Sequence, residues 1–164
     1  MMATRIQPAP QKITTFLWFD NNAEEAANFY VSIFKNSRVL NTVRNGEGGP
    51  GPKGSVLTID FELDGQRFAG LNGGPRFKFT EAISLVVNCE TQEEIDYFWE
   101  KLSEGGGEQV QCGWLKDKFG LSWQVVPKIL PELMTGNNSD RVMNAIMGMK
   151  KLDIDKLQKA AEGQ

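Results

Sequence analysis

Two stretches of this chain repeat one pattern at a spacing of 69 residues, and this repeat constrains the fold more than any other feature. Residues 15–30 read TFLWFDNNAEEAANFY, and residues 84–99 read SLVVNCETQEEIDYFW. Each stretch contains a short apolar strand, a polar turn and an acidic helix start that leads into a pair of aromatic side chains. The spacing is too long for a solenoid repeat and is typical of two copies of a small α+β module.

The residues after each repeat predict further strands. In the first module, alternating apolar residues predict strands over 38–44, 55–63 and 66–72, and Asp64-Gly65 predicts a two-residue hairpin turn between the last two. In the second module, residues 108–126 must provide the same three strands. We therefore expect at least one strand of the second module to be very short or missing.

Both helices carry start signals in the sequence. Asn22 with Glu25, and Thr91 with Glu94, have the spacing of a capping box, so the acidic residues of the first turns are explained without catalysis. After the second module, Pro127 and Pro131 interrupt the chain, and the pattern beyond them predicts two short helices.

Composition excludes several classes of function. The net charge is −3 and the basic residues are scattered, so we expect no nucleic-acid partner. No apolar run is long enough to cross a bilayer, and the first twelve residues lack the apolar core of a secretion signal, so we expect no membrane association. The two cysteines, Cys89 and Cys112, form no CxxC pair, which favours buried thiols in a reducing cytoplasm.

A glycine-rich segment matches a nucleotide-binding pattern only formally. Residues 46–51 (GEGGPG) fit GxGxxG, but a phosphate site of that kind needs a helix to begin within the glycine turn. Here prolines and then a strand follow, so we predict no dinucleotide or S-adenosylmethionine site. The chain also has no histidine, which excludes Ser-His-Asp and Cys-His catalysis, and no catalytic residue is singled out.

Three segments resemble the PhnB-like branch of the vicinal oxygen chelate superfamily, also called demethylubiquinone methyltransferase-like. They are FLWFDNNAEEAANFY at 16–30, FELDGQRFAGLNGGPRFKFTEAIS at 61–84 and QCGWLKDKFGLSWQVVP at 111–127. The superfamily holds glyoxalases, bleomycin-resistance proteins and extradiol dioxygenases. The resemblance implies an α+β fold, in which two βαβββ-type modules form a curved mixed sheet with a concave cup, the second module being shortened, followed by C-terminal helices.

The corresponding domain organisation has five parts. It comprises a disordered leader at 1–12, a first module at 13–72, a linker at 73–81, a second module at 82–127 and a helical extension at 128–164.

In the metalloenzymes of this superfamily, metal ligands come from the first and last strands of each module. The resemblance places the first-strand ligands at Thr15 and Ser84 and a last-strand ligand at Gln124, with the fourth near Leu71 or Asn72. Divalent transition metals require imidazole, carboxylate or thiolate donors, and these residues supply only neutral oxygen groups. We therefore predict no metal and no other cofactor.

The resemblance also implies a ligand-binding cup on one face of the sheet. Strand alternation puts Thr15, Leu17 and Phe19 on one side, and Trp18 and Trp123 on the opposite side, under the helices. Trp114 is a candidate stacking wall. The predicted ligand pocket consists of Thr15, Leu17, Phe19, Asn72, Ser84, Val86, Trp114 and Gln124. The alternative is that these side chains only fill the interior of the sheet.

The function predicted from these features is metal-free binding of a small organic molecule by a cytoplasmic homodimer. One alternative is an enzyme with a relocated or metal-independent active site, and another is a dimeric interaction scaffold. The sequence leaves open whether the modules pair within one chain or between two chains.

Overall fold

The computed structural model describes residues 11–164 and separates into two compact units, the first ending at Phe77 and the second running from Lys78 to Gln164. The elements in chain order are β1 Thr15–Phe19, α1 Ala23–Ile33, β2 Arg38–Arg44, β3 Val56–Leu63, β4 Gln66–Asn72, β5 Ser84–Cys89, α2 Gln92–Ser103, β6 Glu108–Gln109, β7 Trp114–Lys116, β8 Ser122–Pro127, α3 Leu130–Leu133, a 3₁₀ turn Gly136–Asn138, α4 Ser139–Met147 and α5 Ile154–Glu162. The α+β class with two βαβββ modules is confirmed, and each module forms its own four-stranded mixed sheet.

The first sheet has the strand order β1-β4-β3-β2, with β1 parallel to β4 and the other pairs antiparallel. Leu63 pairs with Gln66, so the turn between β3 and β4 has two residues. Both turn residues, Asp64 and Gly65, have positive φ angles of 47° and 80°, as a tight hairpin requires. The predicted hairpin is confirmed.

Helix α1 covers one face of this sheet because its apolar stripe packs on β3 and β4. The ring of Tyr30 stacks on Phe61 with centroids 6.2 Å apart, and Phe61 stacks on Phe68 at 5.6 Å. These rings are buried and form the centre of the first core. Before β1 begins, the side chain of Gln11 accepts from the Arg67 amide and donates to the Arg67 carbonyl. The predicted leader otherwise lies outside the described residues.

The second sheet repeats this order as β5-β8-β7-β6, with β5 parallel to β8. Helix α2 packs on β7 and β8 through Ile95, Trp99 and Leu102. Its start is capped by Thr91 as predicted, since Thr91 Oγ1 accepts from the Glu94 amide at 3.2 Å. Glu94 Oε2 accepts from the amide of Glu90, one residue before the cap, at 2.8 Å. The expected shortening is also present, because β6 has two residues and β7 three.

The C-terminal helices belong to the second unit. A buried cluster joins α4, α5 and the segment between them: Val142, Ile146, Leu152, Leu157 and Ala161. The extension is fastened to the module by backbone hydrogen bonds from Cys112 to Met149 and from Gly113 to Lys150, each 2.8 Å. The side chain of Gln92 adds two more, to the Leu152 carbonyl and the Ile154 amide. No helix in residues 11–164 has the length and apolarity needed to span a membrane.

Candidate functional site

The first strand of the first unit faces the opposite way from the sequence-based prediction. Leu17 pairs in register with Gly70, where a methyl group would lie 3.2 Å from the Phe19 ring and 3.5 Å from Ile59. Leu17 and Phe19 are buried, and Thr15 pairs with Phe68 of the α1 core. The prediction that Thr15, Leu17 and Phe19 lie on the face opposite the helix is therefore wrong, since all three are on the α1 side.

The error arises from the length of one turn. Three residues, 20–22, separate β1 from α1, whereas two residues, 90–91, separate β5 from α2. An alignment without a gap matches the helices but shifts the strands by one residue, and a one-residue shift exchanges the faces of a strand. With the strands matched on their buried positions, the counterpart of Ser84 is Thr14, not Thr15.

Trp18 consequently lies on the face opposite α1, and the prediction that it packs under the helix is wrong. Its indole Nε1 donates to the Gly74 carbonyl at 3.0 Å, and its ring meets Phe77 edge-on with centroids 4.8 Å apart. Gly73 is required here because any side chain at that position would overlap the Trp18 ring. Trp18 thus anchors the segment that follows β4.

Asn72 was predicted to line the ligand pocket, and the structure shows its amide engaged elsewhere. Its Oδ1 accepts from the Ala23 amide at 2.9 Å, and its Nδ2 donates to the Val56 carbonyl at 3.1 Å. Asn72 therefore caps the first turn of α1 from a neighbouring strand. The capping box predicted at Asn22 is wrong, because the Asn22 side chain forms no capping hydrogen bond within the described residues.

In the second unit, four predicted pocket residues come together on the face opposite α2. Val86 pairs with Gln124, Gln124 pairs with Trp114, and Ser84 lies two residues from Val86 on the same side. Gln124 Nε2 donates to Ser84 Oγ at 2.9 Å. Trp123 points the other way and is buried under α2, as predicted.

A cavity of about 180 Å³ lies on this face. It is lined by Glu81, Glu108, Val110, Trp114, Leu115, Lys116 and Ser122. The Ser122 side chain is only 1% exposed, and its hydroxyl has no hydrogen-bond partner among residues 11–164. Buried hydroxyl groups are nearly always paired, because leaving one unpaired costs about 1–3 kcal/mol. Ser122 is therefore the strongest indication of a binding site in the second unit.

Lys116 and Glu81 form an ion pair beside this hydroxyl. The hydrogen bond that Lys116 donates lowers the pKa of the Glu81 carboxyl and raises the pKa of the Lys116 ammonium. Glu108, which pairs with Lys116 across the strands, raises the pKa of Lys116 further. Lys116 is consequently a charged hydrogen-bond donor at neutral pH. No sequence motif singles out Lys116, although its spacing of two from Trp114 places both side chains on one face.

Asp117 is buried and supports the start of β8. Its Oδ1 accepts from the amides of Phe119 and Leu121, and its Oδ2 accepts from Trp123 Nε1 at 2.9 Å. The carboxylate thereby builds the turn that brings Ser122 and Gln124 into the sheet.

The glycine-rich loop lacks the helix start that a phosphate site of the GxGxxG kind needs. It connects β2 to β3, so no helix begins within it. Asn45 organises the loop instead, because its amide and its side chain both donate to Ser55.

The positions at which the resemblance implies metal ligands do not fit a transition metal. Ser84 and Gln124 are neutral and bond to each other. In the first unit, Thr14 is the counterpart of Ser84 and Phe16 is the counterpart of Val86. Gln124 pairs with Val86 and Ala69 pairs with Phe16, so Ala69 is the counterpart of Gln124. Hydroxyl, amide and methyl groups cannot replace the charged or imidazole donors such ions need. Residues 11–164 also contain no group of three His, Cys, Asp or Glu side chains placed to hold a metal.

Comparisons with known proteins agree with this architecture. The sequence model of the family described as 3-demethylubiquinone-9 3-methyltransferase matches residues 11–126, so the helical extension lies beyond it. A PhnB protein from Bacillus cereus is 43% identical, with a TM-score of 0.66 over 71% of this chain and 99% of that chain. No protein among those with curated descriptions matches.

Two more distant solved structures share the fold. Protein PA1353 from Pseudomonas aeruginosa is 19% identical, with a TM-score of 0.60 over 72% of this chain and 98% of that chain. The fosfomycin resistance protein FosX from Listeria monocytogenes, solved with Mn(II) and sulfate, is 14% identical, with a TM-score of 0.50 over 75% and 98%. The family match and the 43% identity show that this chain belongs to the PhnB-like family described as 3-demethylubiquinone-9 3-methyltransferase.

Proposed function

We propose that this protein binds a small organic molecule, without a transition metal, in the cavity on the face of the second sheet opposite α2. The buried and unpaired hydroxyl of Ser122 is the observation that carries the proposal. A ligand that forms a hydrogen bond with this hydroxyl would remove the cost of leaving it unpaired. The side chains of Trp114 and Val110 supply the apolar contact that small-molecule sites normally combine with a few polar groups.

The size of the cavity suits a small ligand. Its volume of about 180 Å³ is close to that of an engineered protein cavity of about 150 Å³ that accepts benzene. A single six-membered ring with one polar substituent is therefore of suitable size. Metal-assisted catalysis is not part of the proposal, because the donor set at Ser84 and Gln124 does not suit such an ion.

Ser122→Ala tests the proposal through an unusual pair of effects. Removal of an unpaired buried hydroxyl should raise the free energy of unfolding of the free protein, by up to about 2 kcal/mol. The same change should weaken ligand binding, measured as a smaller rise in melting temperature across a library of small aromatic and carbonyl compounds. Ser84→Ala is the matched control, since it breaks the bond with Gln124 and should lower stability.

A lower stability in Ser122→Ala, with ligand responses equal to those of the wild type, would contradict the proposal. Elemental analysis of the purified protein tests the metal-independent part. We expect no stoichiometric zinc, nickel, iron or manganese, and any of these at one ion per chain would refute that part.

The proposal includes a homodimer. The first unit exposes large apolar side chains, with Phe16 56% exposed and Phe77 54% exposed. Exposed apolar groups of this size are typical of an interaction surface. Light scattering should give the mass of two chains for the wild type and a shift toward one chain for Phe16→Ser. A wild type that stays monomeric at all accessible concentrations would refute the dimer.

The proposal also places the protein in the cytoplasm. Cys89 and Cys112 are both free thiols, as a reducing compartment would maintain them. Recovery of the native protein in the cytosolic fraction of its cell is the expected result, and recovery in an exported fraction would contradict it.

A further inference from the structure

One row of polar side chains crosses the second sheet. Glu108 pairs in register with Lys116, Lys116 pairs with Ser122, and Ser122 pairs with Ser84. Paired residues of neighbouring strands point to the same face and lie about 5 Å apart. The row therefore places the Lys116 side chain next to the unpaired hydroxyl of Ser122.

The ion pair runs along the same row. Glu81 precedes β5 by three residues, so Lys116 must extend from β7 past the start of β8 to reach it. Both partners line the cavity together with Ser122. One ammonium and two carboxylates, those of Glu81 and Glu108, then face the cavity, which leaves its lining with a net charge of −1.

The geometry points to a neutral carbonyl compound carried on a single apolar ring as the ligand class, an inference that rests on the function proposed above. The carbonyl oxygen accepts from the Ser122 hydroxyl and from a free N–H of the Lys116 ammonium. The ring lies against Trp114 and Val110.

Charged ligands of the same shape are disfavoured for different reasons. A carboxylate would meet the two glutamates that already balance Lys116, so like charges would repel. A protonated amine is attracted by the two glutamates, but it offers no acceptor to the free N–H of Lys116 and would place a second ammonium beside the first. A neutral carbonyl group avoids both penalties.

Three probes of nearly equal size test this inference: benzamide, benzoate and benzylamine. Each is titrated into the full-length protein, with binding followed by chemical-shift changes. Benzamide should bind most tightly, and Ser122→Ala should weaken its binding about five- to tenfold, the usual worth of one hydrogen bond. Tighter binding of benzoate or benzylamine, sensitive to Ser122→Ala, would overturn the neutral-carbonyl class while leaving the proposed function intact.

Glu81→Gln provides an independent test, because it removes one carboxylate and retains the shape of the side chain. The lining then becomes neutral, so binding of benzoate relative to benzamide should improve at least about threefold at low salt. Glu90→Gln is the matched control, since Glu90 forms an exposed ion pair with Lys128 that does not line the cavity. An unchanged benzoate-to-benzamide ratio in Glu81→Gln would overturn the inference.

The absence of binding by all three probes would also overturn it. The library screen described above then decides separately whether the cavity binds any small molecule, so the two failures are distinguishable.

Discussion

The two units have the same order of strands and helix, but the turn between the first strand and the helix is one residue longer in the first unit. Leu17 and Phe19 face α1 in the first unit, and Val87 and Cys89 face α2 in the second. The buried positions are 70 residues apart, whereas the helices are 69 residues apart. A one-residue difference in a surface turn is enough to reverse the faces in a gapless alignment.

The same turn is stabilised by different means in the two units. In the second unit, Thr91 and Glu94 cap α2 from within the turn and the first helical residues. In the first unit, Asn72 caps α1 from a neighbouring strand. A repeat of sequence therefore preserves the order of elements, while the backbone amides of the first helical turn can be paired by different side chains in each copy.

The two faces opposite the helices have also diverged. In the first unit this face carries Trp18 and the half-exposed Phe16, and its cavity of about 300 Å³ is bordered by Asp60 and Arg67. In the second unit the corresponding face carries the bonded pair Ser84–Gln124 and the buried Ser122. Only the second face combines an unpaired buried hydroxyl with an apolar wall among the described residues, and the proposed ligand site is therefore there.

The largest expected effect tests directly which face of β1 is buried under α1. Leu17→Ala should lower the free energy of unfolding by about 2–4 kcal/mol, because it leaves a cavity under α1. Val86→Ala is the matched control, since a gapless alignment makes Val86 the equivalent of Leu17 although it is 48% exposed. It should cost less than about 1 kcal/mol. Equal losses in chemical denaturation would contradict the assignment of faces.

The next effect compares Asn72 and Asn22 as the residue that caps α1. Asn72→Ala should destabilise the protein by about 1–3 kcal/mol, because it removes hydrogen bonds to Ala23 and Val56. Asn22→Ala, at the position that the sequence pattern favours, should change stability by less than about 0.5 kcal/mol. A larger loss for Asn22→Ala in urea denaturation would show that the local residue is the cap.

A somewhat smaller effect tests the extension, which only the second unit has. Gln92→Ala removes both hydrogen bonds to the Leu152–Ile154 segment and should cost about 1–2 kcal/mol. We also expect faster amide exchange at Cys112 and Gly113, whose amides bond to Met149 and Lys150. Stability and exchange equal to those of the wild type would show that Gln92 does not fasten the extension.

The smallest effect distinguishes the two thiols and needs no change in stability. Burial raises the pKa of the Cys89 thiol to about 12, so almost none of it is thiolate at pH 8. Cys112 is partly exposed and should react with a thiol reagent first, leaving Cys89 to react only on unfolding. Cys112→Ser should abolish the fast phase, and a fast phase that persists in this variant would contradict the assignment.

Much of the fold could be predicted because its signals are local. The Asp64-Gly65 turn, the Thr91 cap and the shortened second module are each encoded within a few neighbouring residues, and all three are confirmed. The candidate site was predicted only in part. Alternation predicts that Ser84 and Val86 share a face of β5, and strand pairing brings Trp114 and Gln124 to the same face.

The sequence by itself determined the two βαβββ modules, their order and the chemistry available at Ser84 and Gln124, since residue identity and short-range pattern suffice for these. Only the tertiary structure decided which face of β1 is buried, that Asn72 caps α1, and that the Ser122 hydroxyl is buried without a partner beside Lys116 and Glu81. These features depend on turn length and on the register between strands distant in sequence. A change of one residue in either reverses which side chains meet, and no local pattern records that choice.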